Sequence, residues 1–407
     1  MDKLYELAYK YRKTKLWKKI YEDQFFAIRL KDGQIGFINI MGAGNEYNAI
    51  NLTIGEDNLL NFKKVIESNM DYSNYDYFVS TLLLENHQLI FGNKDDLDPG
   101  EVEEVRKYKK EHGIKITGAL TFPYFRKSEK FSPLKQFDSE KDYSYIEQAI
   151  SASIDLSKIL GDSNADDLDI YSIYDEPSIM VLEKEGESYK IKDSVNVDWN
   201  KENIYPVANI IDISTLKNIK KAKKSGQMEC QLIVFPEPVE DSDFVPYYPQ
   251  TLLAVDKRSG EAISTDPVED YTKNPNEIAN SFFEMLLNLD LIPEVINVPD
   301  QRTFNLLKEI CASSNIIILV KDNLIDLDEV KNELFDYLDS QLPDETYDSD
   351  VISDDEVLQM LDMMEYMANE GIAPPQELID LLVDGVKTGI LDNNLSKKIM
   401  QTLNKIL

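Results

Sequence analysis

Soft and imidazole ligands are almost absent from this chain, which has two cysteines and two histidines among 407 residues. A structural zinc site needs about four ligands at short spacings, and nothing in the cysteine and histidine spacing offers them. Cys230 and Cys311 are far apart, each in or beside an apolar run, so they read as buried free thiols and not as a disulfide. Long hydrophobic runs are missing too. No stretch approaches the ~20 apolar residues of a membrane-spanning helix, and Met1, Asp2, Lys3 and Leu4 do not begin a secretory signal. The expected location is the cytoplasm.

Positive charge is the other shortage. Lys and Arg number 43 against 75 Asp and Glu, a formal charge of -32. Residues 322–384 hold 20 of those acids and one base, Lys331, whereas the first 31 residues carry nine bases and four acids. Such a field repels polyphosphate over most of the surface, makes nucleic acid an unfavourable partner and suits a basic protein docking at the acidic C-terminal region.

What is present is an ordinary globular composition, 43% hydrophobic with 22 Tyr and 16 Phe, in a chain long enough for several cores. Leu4, Leu7, Ala8 and Tyr11 have helical spacing. Residues 25–30 and 34–40 flank Asp32 and Gly33, a hairpin signal. Residues 47–54 read as a strand, 58–68 as a helix and 77–91 as one or two strands. A helix opened by Pro99 is followed by an extended aromatic arm over 114–137 and a helix over 142–160. Gly161 begins a polar stretch that reads as a domain boundary. A second hairpin is expected around residues 184–187, and a strand over 228–235.

From residue 250 the pattern is a hairpin, then helix, strand, helix, strand, helix, which argues for a partly parallel sheet covered by helices. Residues 339–356 form an acidic linker with Pro343. Three helical segments follow at 357–369, 375–388 and 394–407, with Leu358, Leu361, Met364 and Met367 on one face. The fold class is α+β and multidomain, with mixed αβ sheet domains and a C-terminal α-helical module. The domains are 1–161, 168–338 (core 250–338) and 357–407.

Asp256 ends a strand and Asp300 follows another, with Glu329 or Glu333 on the helix after the last strand. Over 250–338 this order resembles the ribonuclease H-like superfamily, in which acids at similar positions cradle two divalent metals for phosphodiester chemistry. That resemblance implies Mg²⁺ or Mn²⁺ and requires Asp256 and Asp300 within about 8 Å, since the two ions stand ~3.5–4 Å apart. The bland alternative makes Asp256 a turn residue before Gly260 and Asp300 a helix cap. His112, in a helix's last turn, reads as a dipole partner, and His87 lies near a turn with no nucleophile nearby in sequence. No cofactor is indicated otherwise.

Leu16, Trp17, Lys18 and Lys19, followed by Phe26, Ala27, Ile28, Asp32, Gly33, Ile35, Gly36 and Phe37, then Met41, Gly42, Ala49, Ile54 and Gly55, resemble the N-terminal part of an uncharacterised bacterial family known only as domains of unknown function. Residues 249–338 resemble its companion domain through Asp256, Ser259, Gly260, Pro293, Glu294 and Val295. The resemblance implies a cytoplasmic α+β protein and brings no activity or catalytic residue. The expected function is therefore that of a non-catalytic protein-interaction or scaffold protein, with the metal-dependent phosphodiester enzyme as the alternative.

Overall fold

The computed structural model describes residues 1–43, 47–67, 75–116, 118–174, 177–201, 205–209, 212–239 and 245–341, and beyond these Leu361, Met364, Ile379, 397–400, Thr402 and Leu403. The chain divides into two units, Met1–Phe335 and Asp336–Leu407.

Helix α1 (Asp2–Thr14) buries Leu4, Tyr5, Ala8 and Tyr9, the stripe that its apolar spacing requires. Strands β1 (Phe25–Arg29) and β2 (Ile35–Met41) form the expected hairpin, in which Gly33 supplies a φ of 85°. Next come β3 (Asn48–Ile54), α2 (Glu56–Glu67), α3 (Tyr75–Leu82), β4 (Asn86–Gly92), α4 (Pro99–Glu111), β5 (Phe122–Ser128), α5 (Glu140–Leu160), β6 (Ser178–Glu185) and β7 (Ser188–Asn196). They make one seven-stranded sheet in the order β5-β4-β3-β2-β1-β6-β7, with β1 and β6 parallel and all other neighbours antiparallel. One face packs on α1, α4 and α5, with Phe26 and Ile28 among its core residues. The opposite face meets α2 through Phe25, Ala27 and Phe37. Burial on both faces explains why β1 is apolar without alternation. Ser139 begins α5 with a capping box to Asp142, and Pro99 opens α4 beside a box between Asp98 and Glu101.

Two expectations are corrected here, and a third, the extended arm, is sharpened. Residues 75–82 are helical and not extended, because Tyr75, Phe78, Val79 and Leu82 pack together at helical spacing against the second sheet's core. The aromatic arm contains β5, whose alternate residues Pro123, Phe125 and Lys127 turn inward as it pairs with β4. The boundary at Gly161 does not separate the hairpin that follows, since β6 pairs with β1 and joins the N-terminal sheet.

The second sheet begins after α6 (Ile213–Lys221). It comprises β8 (Gln227–Val234), β9 (Gln250–Asp256), β10 (Ala262–Ser264), α7 (Pro275–Asn288), β11 (Val295–Val298), α8 (Gln301–Ser314), β12 (Ile317–Val320) and α9 (Ile325–Gln341). The strand order is β10-β9-β8-β11-β12, with β8, β9 and β10 antiparallel and β8, β11 and β12 parallel. Met228, Cys230, Leu232 and Val234 face the core built with α7 and α8, while Ile233 faces Leu324 and Leu327 on the side of α9. The chain is therefore α+β with two mixed sheets.

Both thiols are buried in that core. Burial pushes Cys230 well above its ordinary range and Cys311 up to about 12. Native protein is expected to leave both thiols unmodified by iodoacetamide at neutral pH over hours, with both labelled once denaturant is added. Fast labelling of either in the native state would contradict this packing.

Of the C-terminal helical module, the described residues are all helical, and Leu361, Met364, Ile379, Ile399, Thr402 and Leu403 are buried. The rest of its three expected segments and residues 342–356 of the expected linker lie outside the described residues. Among the described residues no helix is long and apolar enough to cross a membrane.

Candidate functional site

Along β8 the polar positions Gln227, Glu229 and Gln231 alternate with the apolar core face, and Glu229 and Gln231 meet α9. Gln231 is buried and donates from Nε2 to Asp300 Oδ2 at 3.3 Å. Asp300 caps α8 by accepting from Thr303 N at 2.6 Å. Arg302 is buried beside it, 3.8 Å from Asp300 Oδ2, and donates from Nη2 to Leu232 O at 2.9 Å. Burial works against the charged Arg302, but Asp300 and the surrounding tyrosines outweigh it and raise its pKa. From α9, Lys331 donates to Gln231 Oε1 at 3.3 Å and to Asp328 at 3.0 Å, and lies 5.1 Å over the Tyr75 ring. Tyr75 closes the edge by accepting from Val234 N at 2.6 Å.

One acid, Asp300, therefore meets one arginine directly, and a glutamine separates it from a lysine. The other acids proposed from sequence lie elsewhere. Asp256 sits at the opposite end of the sheet: Gln231 pairs with Leu253, and Asp256 is three residues further along β9, roughly 10 Å at the rise of an extended strand. There it accepts from Ser259 Oγ at 2.8 Å and from Arg258 N at 3.3 Å, holding the turn into β10. Glu329 and Glu333 are exposed. The buried side of α9 is set by Leu327, Leu334 and Phe335, and at 100° per residue Lys331 falls on that side while the two glutamates do not. The arrangement does not fit a two-metal site, because a cation occupies the helix position where the third acid would be needed. Among the described residues, no group of three or more His, Cys, Asp or Glu side chains is placed to hold a metal ion.

Sequence reasoning missed Glu229. It is 3% exposed, accepts from Leu327 N at 3.1 Å in the first turn of α9, and pairs with Lys257. Lys257 also reaches Asp326 at 2.7 Å. These contacts latch the start of α9 onto the sheet. The alternation of Gln227, Glu229 and Gln231 along an otherwise apolar strand was the available signal.

A second polar cluster lies in the N-terminal sheet. His87 Nε2 meets Asp142 Oδ1 at 2.8 Å, and Lys127 reaches Asp142 at 3.1 Å and Asp138 at 2.7 Å. Burial disfavours the Asp142 anion, but Ser139, His87 and Lys127 outweigh it and hold this carboxyl well below the usual range. Burial also pushes His87 below its ordinary 6.5, although Asp142 pulls it upward. The unfolded chain then takes up a proton at higher pH than the native one. Stability is full above about pH 6.5 and falls as the pH drops through the window below it. Urea midpoints are expected to decline from about pH 7 to 5.5, and His87→Gln should shrink that decline. An unchanged pH slope would contradict it. His112 ends α4, with Nδ1 3.0 Å from Tyr108 O and its ring stacked on Tyr108.

Residues 2–169 match the family described as domain of unknown function DUF7309, and residues 213–335 match domain of unknown function DUF6930. No curated protein matches the chain. Similar solved structures include the HTLV-2 integrase catalytic core domain in complex with magnesium. Its dimeric form has 18% identity over 30% of this chain and 78% of that one, with a TM-score of 0.22. The trimeric form has 15% identity over 45% and 88%, with a TM-score of 0.21. The simian T-cell lymphotropic virus intasome in complex with PP2A regulatory subunit B56 gamma gives 12% identity over 44% and 51%, with a TM-score of 0.21.

Proposed function

We propose that this chain, which matches domains of unknown function over residues 2–169 and 213–335, is a non-catalytic protein-interaction or scaffold protein of the cytoplasm. Its docking element is the outer edge of β12, and the occupant is an extended, basic segment of a protein partner. The observation that carries this reading is the edge itself. Among the described residues β12 is the last strand of its sheet, yet Ile317, Leu319 and Val320 are 57%, 43% and 42% exposed. An unprotected apolar edge is a template for an added strand, since its free N–H and C=O groups can continue the ladder. Of the acids that follow it, Asp322 stands beside Lys321, and Asp326 and Asp328 are paired with Lys257 and Lys331, so the preference for a basic incoming strand rests on the chain's formal charge of -32. The charge neutralisation around Asp300 supports the non-catalytic part.

Affinity isolation from the native host should recover a basic partner whose retention weakens with salt. Leu319→Lys should release it, and adding it back should protect the amides of 317–320 from hydrogen exchange. Retention of the partner by Leu319→Lys, or exchange unchanged at those amides, would overturn the β12 site. A partner released only by deleting residues 339–407 would move the docking site to the C-terminal region.

A further inference from the structure

The face of the N-terminal sheet that meets α2 and α3 contains a ladder of carboxamides beside a cavity that Thr81, Asn86 and Glu22 also line. Asn39, Asn51 and Gln88 lie directly opposite one another on β2, β3 and β4. They line a cavity of about 440 Å³ together with Met41, Phe62 and Leu84. That volume lies within the range of small-molecule sites. Asn51 is 1% exposed; it donates from Nδ2 to Asn39 Oδ1 at 3.0 Å, and Asn39 passes its own Nδ2–H to the Glu22 carbonyl. The chain of donors runs one way and leaves Asn51 Oδ1 and Gln88 Oε1 buried with no partner among the described residues. A buried carbonyl without a donor costs on the order of 1–3 kcal/mol, so two side by side at the wall of a cavity point to a ligand that supplies donors.

We infer that this cavity is a binding site for a planar NH₂ group carried on an aromatic body, as in a primary carboxamide or an amidine. The two hydrogens of such a group diverge by about 120°, so acceptors each ~2.9 Å away stand about 5 Å apart. That matches the ~4.8 Å spacing of adjacent strands, which sets the separation of the Asn51 and Gln88 side chains. Phe62, Met41 and Leu84 provide the apolar walls for the ring. Among the described residues that line it, lysine and arginine are absent and the one charged residue is Glu22, which disfavours anions.

Four probes separate the features, the isosteric benzamide, benzamidine and benzoate and the donor-free N,N-dimethylbenzamide, followed by saturation-transfer NMR on the full chain. Benzamide and benzamidine are expected to bind with dissociation constants on the order of millimolar, and the other two should not. Gln88→Leu, at a half-buried position, should weaken benzamide about tenfold. Leu84→Trp, which fills the cavity, should abolish it, with circular dichroism confirming that both variants fold. Equal binding of dimethylbenzamide, or benzamide binding unchanged by both variants, would overturn the site. So would the absence of benzamide and benzamidine binding at about 10 mM, an outcome in which water satisfies the two carbonyls.

Discussion

Asp300→Ala is expected to lower the stability of the protein by about 3–5 kcal/mol, read as a shift of the urea midpoint. Two losses combine. The first turn of α8 loses the acceptor for Thr303 N, a cap whose removal costs about 1 kcal/mol. The larger loss is electrostatic, because Arg302 is buried and Asp300 is its nearest counter-charge. Asp300→Asn should fall between, since it keeps an oxygen for the cap while removing the charge. The direction of the effect discriminates between the two readings of this residue. A carboxylate held among other carboxylates for metal chemistry relieves repulsion when it is removed, so its loss would leave stability unchanged or raise it.

Glu229→Ala is the second large effect, a destabilisation of about 2–3 kcal/mol with the loss concentrated at α9. The carboxylate is almost fully enclosed and serves both the Leu327 amide and Lys257. Truncation leaves a buried N–H in the first turn of α9 without an acceptor and frees Lys257 to Asp326 alone. Lys257 is partly exposed, so the amide carries most of the penalty. Glu229→Gln keeps that acceptor and should cost about 1 kcal/mol. Hydrogen exchange should accelerate over residues 325–335 in Glu229→Ala before it changes in α7 or α8. Uniform acceleration across the sheet would contradict the latch.

Much of the fold could be read from local pattern. The hairpin at Gly33, the helix over 140–160 and the alternation of strands and helices after residue 250 all follow from period and turn chemistry. The failures share one cause, which is tertiary context. The β-prone sequence of α3 is helical because its apolar face meets a second core. The pairing of β1 with β6 joins residues that are distant in sequence, and no local signal carries such a contact. At the candidate site, Asp300 as a helix cap and Asp256 as a turn residue were legible, and both hold those places. That Lys331, and not Glu329 or Glu333, faces Gln231 was also available from the spacing of Leu327, Leu334 and Phe335.

On the proposed non-catalytic reading, the carboxyl edge of β8 is a neutralised structural network that gathers no divalent metal. The most direct test of that reading is a Mn²⁺ titration of the wild-type chain and Asp300→Asn, following the free-ion electron paramagnetic resonance signal. Salt at about 0.3 M would screen the diffuse acidic field. The expected result is the same weak binding curve for both proteins. A tightly held Mn²⁺ ion in the wild type that disappears in Asp300→Asn would contradict it.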